Sequence, residues 1–347
     1  MAQSHDRLPM ALSMGDPAGV GPEIILKAFA GHAADMQAVC VIGNLAVMQR
    51  QLAQLSAHLP SGIQCHEVSG PSEALRVPSG HLPVINVTPD ASIEIGKVTP
   101  AAGRMAADAV TWAARAVLRN EFSALVTAPL HKKALSLAGV EYPGHTEMLQ
   151  ALAAEHLGLP VADLPVRMML SSPGLRVVLV SIHVSLRQAI DAVTTANVLQ
   201  TLQIIHRSWP ALHGRHPRIW VAGLNPHAGE EGLFGLEEIQ VIAPAIALAN
   251  TQGLQVRGPF PPDTVFMQAH QASGADAPDV VLAMYHDQGL IPVKFWGTQH
   301  GVNQTLGLPF VRTSPDHGTA FDIAGQGLAD PSSLRAAVRA ALRPPLG

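Results

Sequence analysis

Short apolar runs alternate along the chain with segments whose apolar positions recur every three to four residues. The runs 10–14 (MALSM), 38–42 (AVCVI), 83–87 (PVINV) and 124–127 (ALVT) are aliphatic and end near Gly, Asn or Pro, which predicts buried strands. Between them, helical patterns start at Pro22, at Asn44 and at Thr99–Pro100, with Pro suited to a first turn and Asn or Thr to a cap. The second of these reaches about Ala57; the third reaches about Asn120 and carries a face of small, Ala-rich positions suited to close packing. In the second half, Val166–Ser171 and Arg176–Ile182 flank a Ser-Pro-Gly turn and read as a hairpin. Thr194–Trp209 reads as a helix, Arg218–Leu224, Val280–Tyr285 and Phe310–Thr313 as strands, and Ser332–Leu342 as the last helix. This alternation predicts an α/β fold with a largely parallel sheet. No repeat, low-complexity tract or linker interrupts it, so two domains would share chain crossovers.

Composition narrows the function. Charged residues make up 14% of the 347 positions, against about 25% in an average soluble chain. A net charge of −4 without a basic cluster excludes a nucleic-acid partner, which needs a Lys/Arg excess against phosphate. The apolar runs are too short to span a bilayer, and MAQSHDRLPMALSMGDPAG holds no apolar signal core, so a cytoplasmic chain is expected. Two cysteines, Cys40 and Cys65, form no CxxC pair and read as structural thiols. The unusual count is 17 scattered histidines.

Ligand groups in a parallel sheet gather just past strand C-termini. Three histidines stand there: His183 after RVVLVSI, His227 after WVAGLNP and His286 after VVLAMY. Three neutral imidazoles suit a divalent metal with open positions; equally, each is a residue type that sits hydrogen-bonded in a structural role. Glu230 and Asp287 are nearby carboxylates for orienting such rings, and Asp263 in GPFPPDT can orient a ligand or a substrate amine. GHTE, with His145 and Thr146 opening a helix, is an anion site or a simple Thr146 cap. Lys294, Asn303 and Arg312, nine residues apart, are suited to a phosphate and a carboxylate, or are surface polar groups. GDPAGVGPE is neither GxxxxGK[ST] nor GxGxxG and reads as a tight strand-to-helix turn beside the active cleft. VTAPLHKKAL places His131, Lys132 and Lys133 after a strand.

Taken in order, GDPAGVGPE, TAPLHKKAL, YPGHTE, HVSLRQ, GLNPHAGE, GPFPPDT, MYHDQGLIPVK and GVNQTLGLPFVRTSPDHGTAFDIAG closely resemble the 4-hydroxythreonine-4-phosphate dehydrogenase family of pyridoxal phosphate biosynthesis. The resemblance runs from Met14 to Ser333. One local departure is LIPVK, where some members read LPVLK; the spacing from His286 to Lys294 is unaffected. The resemblance implies an isopropylmalate dehydrogenase-like fold of two α/β/α domains with a cleft between them. By that analogy residues 1–130 plus 288–347 form the first domain and 131–287 the second, which would carry the metal ligands and dimer contacts. It implies His183, His227 and His286 as ligands of one divalent metal (zinc, magnesium or cobalt), in a homodimer whose active site lies at the subunit interface. Substrate contacts map to His145, Thr146, Lys294, Asn303 and Arg312, and the catalytic candidates are Lys294 and Asp263. HGTAFDIAG looks like the HGSAPDIAG loop that holds the adenosine end of NAD in isopropylmalate dehydrogenase. His317, Gly318, Thr319 and Ala320 would then wrap the adenine side, and Asp322 would bond the ribose, favouring NAD over NADP.

The activity so implied is metal-assisted, NAD-dependent oxidation and decarboxylation of 4-phosphohydroxy-L-threonine to 3-amino-2-oxopropyl phosphate. The nearest alternative is a paralogous 4-phosphothreonate dehydrogenase. A phosphate acyltransferase on a related fold is a more distant one, since it needs neither the histidines nor the DIAG loop.

Overall fold

The structure is a computed structural model that describes residues 8–342, save positions 32, 296 and 298. His5 and the two chain ends assigned to the first domain therefore lie partly outside the described residues. The strands are β1 (Met10–Ser13), β2 (Val39–Gly43), β3 (Gln64–Glu67), β4 (His81–Asn86), β5 (Leu125–Thr127), β6 (Arg167–Ser172), β7 (Leu175–Leu179), β8 (Arg218–Ala222), β9 (Gln255–Phe260), β10 (Val280–Ala283), β11 (Val302–Leu306) and β12 (Arg312–Pro315).

The chain forms two compact units, one running to Pro165 and including Leu308–Leu342, the other Val166–Gly307. The divisions fall at 165/166 and 307/308, not at 130/131 and 287/288 as the sequence led us to expect. The reason is packing: the helices Lys132–Leu137 and His145–Leu157 both rest on the long helix Pro100–Leu118 of the first unit. On the other side, β11 pairs antiparallel with β6 and so belongs to the second unit.

In the first unit the strand order is β3-β4-β2-β1-β5-β12, and every pair is parallel. β1, β2 and β5 are buried at every position, as continuous apolar strands covered on both faces must be. Asn44 caps its helix, with Oδ1 accepting from the Val47 amide at 2.9 Å, and Thr99 does the same for the Ala102 amide at 3.2 Å. The small face of the Pro100–Leu118 helix packs into a core with Leu125, Ile42, Leu135 and Leu149. Burial pushes the Cys40 thiol up to about 12 and Cys65 up to about 11, so neither is a thiolate near neutrality; Cys40 is a small core group and Cys65 is half-buried on β3.

In the second unit the order is β11-β6-β7-β10-β8-β9. β6 and β7 form the expected antiparallel hairpin, and β7, β10, β8 and β9 run parallel. One face is covered by the helix Thr195–His213 through Val198, Leu202, Ile205 and Trp209. The other is covered by the helices Val265–Gln271 and His286–Phe295 through Val265, Phe266, Leu290 and Val293. No helix among the described residues is long and apolar enough to cross a membrane.

Two helices of the first unit, Pro100–Leu118 and Lys132–Leu137, approach closely at Gly103. A Cβ there would lie 2.0 Å from the Ala134 carbonyl oxygen and 2.3 Å from its carbon, both backbone atoms of the neighbouring helix. Gly103→Ala must push that helix away, and an overpacking loss of about 1–3 kcal/mol should appear as a lower urea midpoint with an unchanged slope.

Candidate active site

The three sequence-marked histidines follow three adjacent parallel strands: β7 precedes His183, β10 precedes His286 and β8 precedes His227. Each leaves its strand by a different local device. His183 has φ +48. His286 is the first residue of the helix His286–Phe295. His227 opens a left-handed turn in which five consecutive residues, His227 to Glu231, have φ between +44 and +83. Four of these are not glycine, so the turn stores strain that its surroundings must hold, as functional loops commonly do.

Glu238 does part of that holding. It is buried, and its Oε1 accepts from the amides of Leu224 and Asn225, each at 2.7 Å, while Oε2 accepts from Asn225 Nδ2 at 2.9 Å. Gln288 links two of the loops: its Oε1 accepts from the Met284 amide at 2.6 Å and its Nε2 donates to the Gly223 carbonyl at 2.7 Å. Neither residue stood out in the sequence. Gln288 lies in HDQG, the same motif as His286; Glu238 lies on a helical turn with no local signal.

The rings of His183 and His286 lie 5.9 Å apart, centroid to centroid, and line one cavity of about 290 Å³ with Tyr285 and Asp287. His286 Nδ1 pairs with Asp287 Oδ1 at 2.7 Å, the kind of contact by which a carboxylate orients a metal-binding imidazole and leaves Nε2 as the ligating nitrogen. His227 instead lines a neighbouring cavity of about 1100 Å³, with Asp263, Tyr285, Asp287 and Gln288 among apolar side chains. Among the described residues no three His, Cys, Asp or Glu side chains gather as one metal cage. One chain thus pairs two of the three histidines, and their donor chemistry fits a transition metal as a partial site. Glu230, expected near His227, stands three residues after it in the same left-handed turn. Lys294 is in the last turn of the His286–Phe295 helix and exposed, and Asn303 is on β11 opposite Leu170.

In the first unit, Arg312 starts β12, is 4% exposed, and donates from Nη2 to Thr127 Oγ1 at 2.7 Å. Burial pushes its guanidinium down to about 10, and Glu147 offsets this; it stays charged near neutrality. His145 is the first residue of the helix His145–Leu157, whose cap is Gly144, so Thr146 is not a cap and its hydroxyl is left for other work. His145 Nε2 is wholly buried without a hydrogen-bond partner. Burial first, and the Arg312 charge second, hold its imidazole well below the usual histidine range. A neutral imidazole, a fixed cation and the Thr146 hydroxyl at a helix N-terminus are groups of the kind that suit an anion.

The loop His317–Asp322 belongs to the same unit. Val20 donates its amide to the Thr319 carbonyl at 2.9 Å, and Phe321 stacks on His131 with centroids 4.9 Å apart. A Cβ on Gly19 would come within 2.8 Å of that carbonyl, so the GDPAGVG turn is the bed on which this loop lies. Gly318 faces open space, Asp322 is exposed, and His317 Nε2 is buried with no hydrogen-bond partner. An open backbone turn flanked by an unpartnered imidazole nitrogen and an exposed carboxylate fits a nucleoside.

Glu238→Gln should weaken the His227 loop. Loss of a charge-assisted pair of bonds costs about 1.5–3 kcal/mol, read as a lower urea midpoint and faster amide exchange at Leu224 and Asn225.

A family model described as pyridoxal phosphate biosynthetic protein PdxA matches residues 35–341. The 4-hydroxythreonine-4-phosphate dehydrogenase of Beijerinckia indica is 47% identical over 340 residues, 96% of this chain and 94% of that protein. The D-threonate 4-phosphate dehydrogenase of Salmonella typhimurium is 43% identical over 337 residues, 96% of this chain and 98% of that protein. Among solved structures, 4-hydroxythreonine-4-phosphate dehydrogenase from Klebsiella pneumoniae superposes with a TM-score of 0.83 at 40% identity, over 96% of this chain and 98% of that one. Similarity of this extent leaves one assignment for an α/β chain with histidines past three parallel strands: it belongs to the PdxA family of pyridoxal phosphate biosynthesis and is an oxidoreductase of the dehydrogenase type.

Proposed function

We propose that the chain is an NAD-dependent 4-hydroxythreonine-4-phosphate dehydrogenase of the cytoplasm. The observation that carries this reading is the set of three histidines at the C-terminal ends of three neighbouring parallel strands. His183 and His286 would hold one divalent ion, and His227 of a second copy would complete the site, since within one chain His227 lines a different cavity. Zinc or cobalt suits imidazole donors better than magnesium does. A second copy is also supported by apolar side chains left outside: Phe295 is 77% exposed and Ile291 66% beside the His227 cavity.

Arg312, His145 and Thr146 would bind the substrate phosphate, and Asp263 the C2 ammonium. Lys294 is the residue proposed for carboxylate binding or proton transfer, and Asn303 for a hydrogen bond to substrate. The loop His317–Asp322 would carry the adenosine, with the Asp322 carboxylate bonding the ribose and repelling a 2′-phosphate. A divalent ion held there would supply Lewis-acid polarisation of the C3 oxygen, and NAD would serve as the hydride acceptor. Oxidation would move a hydride from C3 to that acceptor and a proton from the hydroxyl to a base, for which Lys294 is the proposed residue. The resulting β-keto acid breaks its C1–C2 bond, releasing carbon dioxide, and C2 takes up a proton to give 3-amino-2-oxopropyl phosphate.

The 43% identity to a D-threonate 4-phosphate dehydrogenase supports a second reading. The two substrates share the phosphate and the C3 hydroxyl but differ at C2, ammonium against hydroxyl. A phosphate site alone does not separate them, whereas a carboxylate such as Asp263 favours the ammonium.

NADH formation should be measured with both substrates. We expect turnover of 4-phosphohydroxythreonine, its loss with a chelator, and its return with zinc or cobalt; faster turnover of D-threonate 4-phosphate would select the second reading. His227→Ala should abolish turnover without lowering the unfolding midpoint of the metal-free protein, and unaltered NADH formation would remove the histidines from the site. Arg312→Lys should raise the KM for the phosphorylated substrate roughly 10–100-fold, the scale of a lost charge-assisted contact.

A further inference from the structure

We infer that Glu23 and Lys27 are positioning residues for the dinucleotide, a conclusion that rests on the nucleotide reading of the loop His317–Asp322 given above. Both lie one turn apart on the helix Gly21–Gly31, which follows the GDPAGVG turn. Glu23 is completely buried. Its Oε2 accepts from the Gly325 amide at 3.0 Å and its Oε1 from the Ala329 amide at 2.9 Å. Lys27 Nζ donates to the carbonyls of Gly327 at 2.9 Å and Ala329 at 2.5 Å, and stands 3.7 Å from Glu23 Oε1. The pair therefore satisfies four backbone groups of a segment that has no strand or helix partner of its own.

The fixed segment is wired directly to the proposed nucleotide loop. Gln326 Nε2 donates to the Asp322 carbonyl at 2.7 Å, the Gln326 amide to the Ile323 carbonyl at 3.2 Å, and the Ile323 amide to the Ala320 carbonyl at 3.2 Å. Within the loop, the Thr319 carbonyl accepts from the Val20 amide at 2.9 Å. Val20 thus pins the loop at Thr319, while Glu23 and Lys27 pin the segment that follows it, all from a single helix start. Apolar packing would serve if only adhesion were needed. A buried carboxylate is costly unless fully bonded, and what its two directed bonds add is a fixed backbone geometry. The exposed Asp322 carboxylate sits between these pinned points, so its position depends on them.

The test uses the full-length protein, with NAD binding measured by calorimetry and amide exchange followed over 317–329. Glu23→Gln replaces one acceptor with a donor facing an N–H. Lys27→Met keeps the aliphatic stem and removes both carbonyl contacts. Each should weaken NAD binding about tenfold and speed exchange over 317–329, while the KM for the phosphorylated substrate and kcat at saturating NAD stay within about twofold. An unchanged NAD affinity in a folded variant, or equal losses of NAD and phosphosubstrate affinity, overturns the inference. Should Glu23→Gln not fold, Lys27→Met decides alone. Asp322→Ala separates the two levels: if it too leaves NAD affinity unchanged, the nucleotide reading of the loop fails and the inference falls with it; if it weakens NAD binding while the Glu23 and Lys27 variants do not, only the positioning role fails.

Discussion

A buried carboxylate that accepts two backbone amides is the interaction on which the functional loops of both units depend. Glu23 holds Gly325 and Ala329; Glu238 holds Leu224 and Asn225. The loops concerned bond to themselves only in isolated turns: one is a string of turns, and the other is a left-handed turn of mostly non-glycine residues. Their amides need fixed partners, because buried backbone groups left unbonded cost about as much as a lost hydrogen bond. Water would satisfy them without fixing their direction. A carboxylate oxygen does both, and in a chain with only 14% charged residues its use at these two places is selective.

Much of this framework was legible because buried parallel strands advertise themselves. MALS, VCVIG and VVLA are unbroken apolar runs, and the histidine beyond each second-unit strand end was visible once the ends were placed. Caps at Asn44 and Thr99 followed from residue type and position. The elements that escaped have the opposite character. β3 reads QCHE and leaves three of its four residues exposed or nearly so, as an edge strand can. β9 reads QVRGPF and also lies at an edge, with Gly and Pro that speak against a strand. The helix His286–Phe295 contains both Gly289 and Pro292 and has no periodic apolar face to announce it.

The unit division escaped for a different reason. Helices Lys132–Leu137 and His145–Leu157 carry no mark of which sheet they cover; the small side chains of Pro100–Leu118 decide it by admitting them, with Gly103 at a close approach. Likewise, motif order located the histidines but not their pairing. His183 and His286 share a cavity because β7 and β10 are neighbours, while His227 follows β8 on the far side of β10 and turns left-handed into another. The histidine excess also divides on structural grounds. His213 packs 4.3 Å from Trp209, with burial holding it down to about 4, and His206 stacks on His216 at 4.1 Å, so these serve as flat packing groups.

Electrostatics gives the proposed anion site its asymmetry. Arg312 and His145 lie close enough for the guanidinium charge to disfavour protonation of the imidazole, and burial acts in the same direction. His145 is therefore a neutral ring beside a fixed cation, with Glu147 the acidic group that acts on Arg312. On the proposed phosphate reading, a dianion there would screen the guanidinium and favour the protonated imidazole, which would couple phosphate binding to proton uptake at His145. The coupling follows from placing a titratable ring, rather than a second permanent cation, next to Arg312. Two fixed charges would repel each other in the absence of ligand inside a region where burial already opposes one of them. A histidine avoids that repulsion, and beside a bound phosphate it would supply a second positive donor.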